Sequence, residues 1–495
     1  MAQRHMDRLT SFDTSFLSNE KRNGHMAIGA VLECEGSPPS LGDFRAHVRS
    51  RLHLLPRFRQ RLANPPLKLG RPFWVDDPGF DLATHVRQAS LSPPGGEEQF
   101  RALAAELLSP PLDRSRPLWE LWLVDCFEDD RFGVVYKTHH ALADGISAVD
   151  IGTLLFDVER AFEPVREEEP WDPHTPPSGA VLLARALAGF GATFVRLARW
   201  LAAAIRSPGR AGKRATDGLA GLWEVTWALT KPAPKAPFNV EIGPERLFCW
   251  TRCDLGEFKR IKNVLGGTVN DVSLAVVAGA LRRWLHDRAV DTEGLELKAL
   301  VPVSVRSEDE HGELGNKLTA MRGPLPVGIS DPIRRLRSVS GAMDALKASK
   351  QQLGAEAIWG LNDWFRDFAP PLLLEPTAAI NFSTRLFNLL VTNFPGPQIP
   401  IYVLGRELVG VYPVGFLARR HGLSIAIVSY NGQIDFGLLA DRDSVPDAER
   451  IAAYLSDSAQ ELARAARIAS PGDGDELAAD LRSRVAGRPG GGPGA

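Results

Sequence analysis

Apolar and β-branched residues are concentrated in two neighbouring runs within the first third of the chain. The runs are ELWLVDCF (Glu120 to Phe127) and FGVVYKT (Phe132 to Thr138), and the four polar residues EDDR separate them. Two such runs joined by a short polar turn predict a β-hairpin. After Gly145, the segment ISAVDIGTLLFDVERAF mixes apolar and polar positions and indicates a helix.

Apolar residues also recur at helical spacing between Ala180 and Ser207, where arginines interrupt the sequence. The apolar stripe consists of Leu183, Leu187, Phe190, Phe194, Leu197, Leu201 and Ile205. This spacing predicts a basic amphipathic helix, which either packs across the protein's own lobes or lies at a membrane or lipid-droplet surface. Because the chain lacks an uninterrupted apolar run of about 18 residues, no membrane-spanning helix is predicted.

Changes in composition divide the chain into four segments. Residues 1–165 mix short strands and helices and form a predicted N-terminal lobe, and residues 166–240 form a connecting crossover that includes the amphipathic helix. Residues 241–468 form a predicted second α/β lobe. The tail, residues 469–495, is rich in glycine, arginine and proline, which predicts disorder.

Overall composition restricts the class of function. The chain has 495 residues, of which 44% are hydrophobic, and its net charge is −2. This length allows two large cores, and the near-zero charge argues against a nucleic-acid partner, because neutralising phosphates requires basic residues. The N-terminus, MAQRHMDRLTSFDTSFL, lacks the apolar region of a signal peptide, which predicts a cytoplasmic protein. Peripheral attachment to the inner membrane or to lipid droplets is the alternative that the amphipathic helix leaves open.

Cysteines do not indicate a metal site. The chain has four of them, Cys34, Cys126, Cys249 and Cys253, and the pair Cys249 and Cys253 has no second pair or histidine cluster at zinc spacing. We therefore expect no metal and no disulfide framework.

The segment THHALADG, residues 138–145, carries the main candidate chemistry. It lies where the second predicted strand ends and a helix begins, and a neutral histidine there is a competent general base near neutral pH. Asp144 would fix the loop by capping the helix or by pairing with an arginine, and Gly145 would allow a tight turn. A metal site would need a third ligand, and a buried, hydrogen-bonded histidine pair without catalytic function is the structural alternative.

His139, His140, Asp144 and Gly145 form an HHxxxDG pattern that resembles the signature of the CoA-dependent acyltransferase superfamily. Within it, the chain resembles the bacterial wax ester synthase/diacylglycerol acyltransferase family. The matching segments are PLDRSRPLWELWLVD (111–125), GGTVNDVSLAVVAGALRRWL (266–285), VPVSVR (301–306), GN (315–316), TNFPGP (392–397) and GLSIAIVSYNGQIDFGLLAD (422–441). The family more often has SNVPGP where this chain has TNFPGP.

This resemblance implies an α/β fold of two chloramphenicol acetyltransferase-like lobes, each a mixed sheet with helices, with an active-site tunnel between them. It implies that His140 is the general base, that His139 supports the loop, and that Asp144 is structural, with Arg306 as its candidate partner. Asn270 and Asp271 would begin a helix of the opposite lobe, either as caps, as active-site residues, or as both. Pro117, Leu118 and Trp119 are expected at the substrate.

The implied reaction needs no cofactor, since acyl-CoA is itself a substrate. His140 would remove the proton of an alcohol as its oxygen attacks the thioester, and Ser304 and Asn270 are candidate donors to the oxyanion. The expected acceptors are diacylglycerol, giving triacylglycerol, and long-chain fatty alcohol, giving wax ester. Two alternatives are a non-catalytic acyl-lipid-binding protein of the same fold and a peptide-synthetase condensation domain, which normally adjoins carrier and adenylation domains.

Overall fold

A computed structural model describes residues 5–20, 23–142, 152, 156–161, 171–189, 195, 199, 232–304, 318–353 and 382–469. Its strands are β1 Met6–Arg8, β2 Ala27–Glu35, β3 Gln60–Ala63, β4 Phe73–Asp76, β5 Val86–Ser90, β6 Trp119–Asp125, β7 Arg131–His139, β8 Arg246–Asp254, β9 Leu297–Ser304, β10 Leu318–Leu325, β11 Leu389–Pro395, β12 Tyr402–Val403, β13 Arg406–Val414, β14 Leu423–Tyr430 and β15 Gln433–Asp441. Its helices are α1 Ser11–Asn19, α2 Leu41–Arg51, α3 Leu82–His85, α4 Glu97–Leu108, α5 Gly179–Gly189, α6 Leu255–Leu265, α7 Val269–Asp287, α8 Pro332–Leu353 and α9 Ala448–Ile468.

The first lobe, which we call the N lobe, is built on a six-stranded sheet of order β12-β13-β2-β7-β6-β5. The predicted hairpin is confirmed, because β6 and β7 pair antiparallel with Trp119 opposite Thr138. Residues 132–139 of β7 are all buried, as expected for a central strand covered on both faces. β2 lies so close to β7 that a Cβ atom on Gly29 would overlap the carbonyl oxygen of Tyr136, so this position needs glycine.

The second lobe, the C lobe, is built on a mixed six-stranded sheet of order β10-β9-β11-β14-β15-β8. β11 is parallel to β9 and β14, whereas the other pairs are antiparallel. The central helix α7 is buried from Asp271 to Leu281. α9 places Ile451, Leu455 and Leu462 on one buried face, which is the spacing of an amphipathic helix. The two mixed sheets with their helices confirm the two-lobe α/β fold.

The sheets of the two lobes do not follow the order of the chain. β12 and β13 come from the second half of the sequence, yet β13 pairs antiparallel with β2 and completes the N-lobe sheet. The predicted segment 241–468 therefore contributes to both lobes. Further contact comes from α4, since Phe100, Ala104 and Leu108 share an apolar cluster with Phe248 and Trp250 of β8.

Helix α5 packs against a separate three-stranded sheet of order β1-β4-β3. α5 is the described part of the predicted amphipathic helix, and it packs against Phe73 and Val75 through Leu182. Among the described residues no single helix is long and apolar enough to cross a membrane, although α6 and α7, bent by 100°, reach the required length and composition together. The helix predicted after Gly145 and the predicted disordered tail lie largely outside the described residues.

Candidate active site

The two histidines lie at the end of the central strand of the N lobe. His139 is the last residue of β7, and its backbone N–H donates to the carbonyl of Leu118 at 2.9 Å. The N–H of His140 donates to the carbonyl of Met26, also at 2.9 Å. Segments adjoining both neighbouring strands therefore hold the backbone of the pair, and the turn begins directly after it.

The side chain of His140 lies among apolar groups from both lobes. Its ring stacks on Phe16, with centroids 3.9 Å apart, and meets Phe416 edge-on at 5.7 Å. Both phenylalanines belong to an interlobe apolar cluster that consists of Phe16, Met26, Leu390, Phe416 and Ala418, with Ile28, Leu300 and Phe382 against it. The imidazole therefore lies in a mostly apolar environment.

Burial sets the protonation of His140. Burial lowers the pKa of the imidazole, the neighbouring His139 lowers it further, and a hydrogen bond to its own backbone carbonyl raises it, so that the pKa lies at about 4. At neutral pH the imidazole of His140 is therefore uncharged, and a neutral imidazole can act as a general base.

His139 is fully buried and contacts the turn itself. Its Nδ1 accepts the backbone N–H of Ala141 at 3.0 Å, and its Nε2 faces Oε2 of Glu20 at 3.4 Å. Glu20 in turn accepts from Nε of Arg114 at 2.8 Å. Burial raises the pKa of the Glu20 carboxyl, but His139 and Arg114 lower it by more, and it falls to about 2.

Sequence reasoning did not identify Glu20 or Arg114. Arg114 lies within the matching segment 111–125, whereas Glu20 lies in none of the matching segments. A lone acidic residue and one of many arginines give no signal by themselves, because only the fold brings them beside His139.

Several predicted site residues fall outside the described part of the chain. These are Asp144, Gly145 and Arg306. Ser304 is the last residue of β9, opposite Leu318, and its side chain lies outside the description as well. The roles predicted for these four residues stay predictions.

Asn270 and Asp271 lie at the start of α7 in the C lobe. Thr268 is the N-cap, and its side chain accepts the N–H of Asp271 while the Asp271 carboxylate accepts the N–H of Thr268 at 2.8 Å. Asp271 thus forms a capping box. Asn270 does not cap the helix, and its Oδ1 accepts from the side-chain amide of Asn393 at 3.2 Å. This contact joins two of the matching segments. A role of Asn270 at the substrate stays a prediction.

Pro117, Leu118 and Trp119 lie directly beside the histidines, but their described contacts are with the protein itself. Leu118 is buried, and its carbonyl accepts from both His139 and Thr138. The Trp119 indole donates to the carbonyl of Phe58 at 2.8 Å. These contacts support the backbone of the histidine turn, and direct contact with substrate stays a prediction.

One described group has the residue types of a metal site, but its carboxylate is already hydrogen-bonded. His5, Asp76 and His174 lie close together, and Nδ1 of His5 contacts Oδ2 of Asp76 at 2.8 Å. The backbone N–H of His174 donates to the same oxygen at 3.1 Å, and Gln60 donates to the other at 3.0 Å. We therefore interpret the group as a set of hydrogen bonds that attaches the crossover segment to β4.

Comparisons with known proteins extend over most of the chain. A sequence model of the wax ester synthase/diacylglycerol acyltransferase catalytic domain matches residues 9–273, and a model of the C-terminal domain of the same enzymes matches residues 314–463. A putative diacylglycerol O-acyltransferase of Mycobacterium tuberculosis (strain CDC 1551 / Oshkosh) is 33% identical over 473 residues, which cover 92% of this chain and 90% of the relative.

Solved structures share the fold. A wax ester synthase/diacylglycerol acyltransferase from Marinobacter aquaeolei VT8 superposes with a TM-score of 0.67 at 24% identity, covering 93% of this chain and all of that one (100%). The starter condensation domain of rhizomide synthetase, solved in complex with C8-CoA and Leu-SNAC, superposes with a TM-score of 0.56 at 14% identity, covering 94% and 95% of the two chains.

Proposed function

Since this chain belongs to the wax ester synthase/diacylglycerol acyltransferase family and is an acyltransferase, we propose that it moves a long-chain acyl group from acyl-CoA to the free hydroxyl of a diacylglycerol. A long-chain fatty alcohol is the second acceptor. The mycobacterial relative named above is a putative diacylglycerol O-acyltransferase, which favours triacylglycerol as the main product. The rhizomide synthetase domain solved with C8-CoA supports acyl-CoA as the donor.

The observation that carries the proposal is the position of His140. Its ring is neutral at pH 7, and phenylalanines from both halves of the chain pack against it. An apolar site excludes water, which would otherwise compete with the alcohol for the thioester. A neutral base in an apolar site suits two uncharged reacting groups, a hydroxyl and a thioester.

In the proposed mechanism, Nε2 of His140 takes the hydroxyl proton as the alcohol oxygen attacks the thioester carbonyl. The tetrahedral intermediate collapses with cleavage of the carbon–sulfur bond, and the imidazolium returns its proton to the departing CoA sulfur. The products are the ester and free CoA, and the enzyme is unchanged. Asn270 and Ser304 are the proposed donors to the oxyanion. Holding both substrates together supplies much of the rate.

We also propose that α5 faces a lipid surface, where the acceptor is dissolved. Leu182 and Ala186 are buried on the protein side, whereas Val181 and Leu187 are exposed, Leu187 by 54%. The face that packs on the small sheet is therefore not the stripe through Leu183 and Leu187. Exposed apolar side chains such as Val181 and Leu187 next to the exposed Arg185 are suited to binding at the surface of a membrane or lipid droplet.

The proposal is tested by CoA release from palmitoyl-CoA with diolein, with hexadecanol, or without acceptor, followed by separation of the lipid products. Wild type, His140→Ala and the control His174→Ala would be compared, because the His174 side chain is 63% exposed. We expect acceptor-dependent release that only His140→Ala loses, by at least about 100-fold. A folded wild type that binds palmitoyl-CoA without releasing CoA would instead support the non-catalytic alternative.

A further inference from the structure

We propose that Glu20 is a positioning residue, which keeps the proton of His139 on Nε2 and thereby fixes the turn that presents His140. Arg114 orients the Glu20 carboxylate for this purpose. The inference deepens the proposed function, because it rests on His140 as the general base. Neither Glu20 nor Arg114 is expected to touch the substrate, and their effect passes through His139.

The backbone of Ala141 determines the tautomer of His139. A backbone N–H always carries its proton, so the N–H of Ala141 can donate to Nδ1 of His139 only when that nitrogen is unprotonated. A neutral imidazole has one proton, which must then lie on Nε2. The 3.0 Å contact between Ala141 and His139 therefore requires the Nε2–H tautomer.

The carboxylate of Glu20 faces the Nε2 proton of His139. Oε2 of Glu20 lies 3.4 Å from Nε2 of His139. The ring N–H does not meet the geometry of a hydrogen bond with it, so the contact acts as a charge–dipole attraction. Because a carboxylate only accepts protons, it favours the tautomer that points N–H towards it. Burial raises the pKa of the Glu20 carboxyl, but contacts with His139 and Arg114 lower it by more, so the carboxylate is charged at neutral pH.

Arg114 orients the carboxylate of Glu20. Nε of Arg114 donates to Oε2 at 2.8 Å, and Nη2 of Arg114 donates to the same oxygen. Nη2 also donates to the carbonyl of Leu17 at 2.8 Å, near the end of α1. Arg114 thus ties Glu20 to the segment that precedes Pro117, and the oxygen that it holds is the one that faces His139.

A backbone turn connects His139 to His140. The N–H of Leu142 donates to the carbonyl of His139 at 2.9 Å, which closes the turn around His140 and Ala141. If the proton moved to Nδ1, it would face the N–H of Ala141, and two donors would oppose each other inside this turn. A protonated His139 would have the same effect and would also disfavour a positive charge on His140. Glu20 therefore affects catalysis through the geometry of the turn.

Two substitutions of Glu20 separate this role from simple packing. Glu20→Leu removes the acceptor, whereas Glu20→Gln keeps a carbonyl oxygen that Arg114 would hold towards His139. We expect Glu20→Leu to lower kcat by about 10- to 100-fold with KM for palmitoyl-CoA within about twofold, and Glu20→Gln to retain kcat within about threefold. Glu241→Gln is the matched control, since Glu241 pairs with Arg419 on the surface.

The second readout does not depend on activity. The chain has 11 histidines, so selective ¹⁵N-histidine labelling gives a small set of ring signals, and a His139→Asn difference spectrum assigns His139. We expect only the Nε2–H tautomer in wild type and in Glu20→Gln, and a population of Nδ1–H in Glu20→Leu. Arg114→Met, which leaves the carboxylate without its donors, gives the same comparison if Glu20→Leu does not fold.

The outcomes distinguish this inference from the proposed function. An active wild type, an inactive His140→Ala and a Glu20→Leu variant with unchanged kcat and tautomer would overturn the role of Glu20 alone. A wild type that releases no CoA would overturn the proposed function, and with it the catalytic consequence of Glu20. The NMR comparison would then still decide whether Glu20 holds the tautomer of His139.

Discussion

The imidazole of His140 lies nearly parallel to the ring of Phe16, with an angle of 15° between their planes and 3.9 Å between their centroids. Phe16 comes from α1, and Phe416, which contacts the same imidazole edge-on, follows β13. Rotation of the imidazole would therefore displace aromatic rings from both ends of the chain. This packing therefore restrains the orientation of the imidazole.

Phe16→Leu tests this packing. Leucine keeps an apolar side chain but cannot stack, and an aromatic contact is worth about 0.5–1.5 kcal/mol. We expect kcat to fall by about 3- to 10-fold in CoA-release assays, with a loss of unfolding free energy below about 1.5 kcal/mol in urea titrations. Phe44→Leu, a change in the N-lobe core, should lose stability without the loss in kcat. Equal kcat values for the two variants would show that the stacking has no catalytic effect.

The pKa of His140 predicts how activity depends on pH. The neutral ring is the base, and its pKa in the folded protein is about 4, below the ordinary value of 6.5. Activity is therefore present above the folded pKa and is lost as the pH falls through it. We expect the acid limb of kcat/KM to have its midpoint well below pH 6, measured where the protein stays folded. A midpoint at 6.5 or above would contradict a buried His140 as the base.

The start of α7 allows capping and catalysis to be separated. Thr268→Ala removes an N-cap side chain, and we expect it to lower the unfolding free energy by about 1 kcal/mol while kcat stays within about twofold. Asn270→Ala removes no cap, so it should lower kcat by about 10-fold with little change in Tm if Asn270 stabilises the oxyanion. Urea titration and CoA release on the same preparations measure both. An Asn270→Ala variant that keeps full kcat would show that Asn270 does not stabilise the oxyanion.

Leu187→Asp tests the lipid-facing surface of α5. The side chain is exposed, so the substitution should leave Tm unchanged while weakening flotation with liposomes that contain anionic lipid and diolein. Ile468→Asp is the matched control, since Ile468 is an exposed apolar residue at the end of α9. We expect Leu187→Asp to reduce the floated fraction several-fold and Ile468→Asp to leave it unchanged. Equal flotation of both variants would contradict the assignment of α5 to the lipid surface.

Local patterns predicted the elements around the site well. The hairpin of β6 and β7 was expected because two apolar runs flank a short polar turn, and α7 begins at Val269, inside the matching segment 266–285. The sequence also placed His139 and His140 at the end of a strand. Each of these features depends on residues that are close together in the chain, where periodicity and turn chemistry are informative.

Features that depend on distant pairing were not predicted. Nothing in the composition of β13 indicates that it pairs with β2 rather than with its neighbours, since both lobes have similar strands. The contact of Glu20 with His139 is missed for the same reason. The apolar stripe left open whether this helix packs on the protein or faces lipid. On α5, Leu182 packs against Phe73 and Val75, whereas Leu187 of the stripe is exposed.

The crossing of β13 into the N-lobe sheet has a consequence for synthesis of the protein on the ribosome. β2 lies at the edge of that sheet until β13 emerges, and about 275 residues separate the end of β7 at His139 from the end of β13 at Val414. At about 5–20 residues per second, the nascent sheet keeps an open edge for roughly 15–55 s. An unpaired edge strand is prone to pair with other chains. We therefore expect co-expression of a holdase chaperone to raise the yield of folded protein.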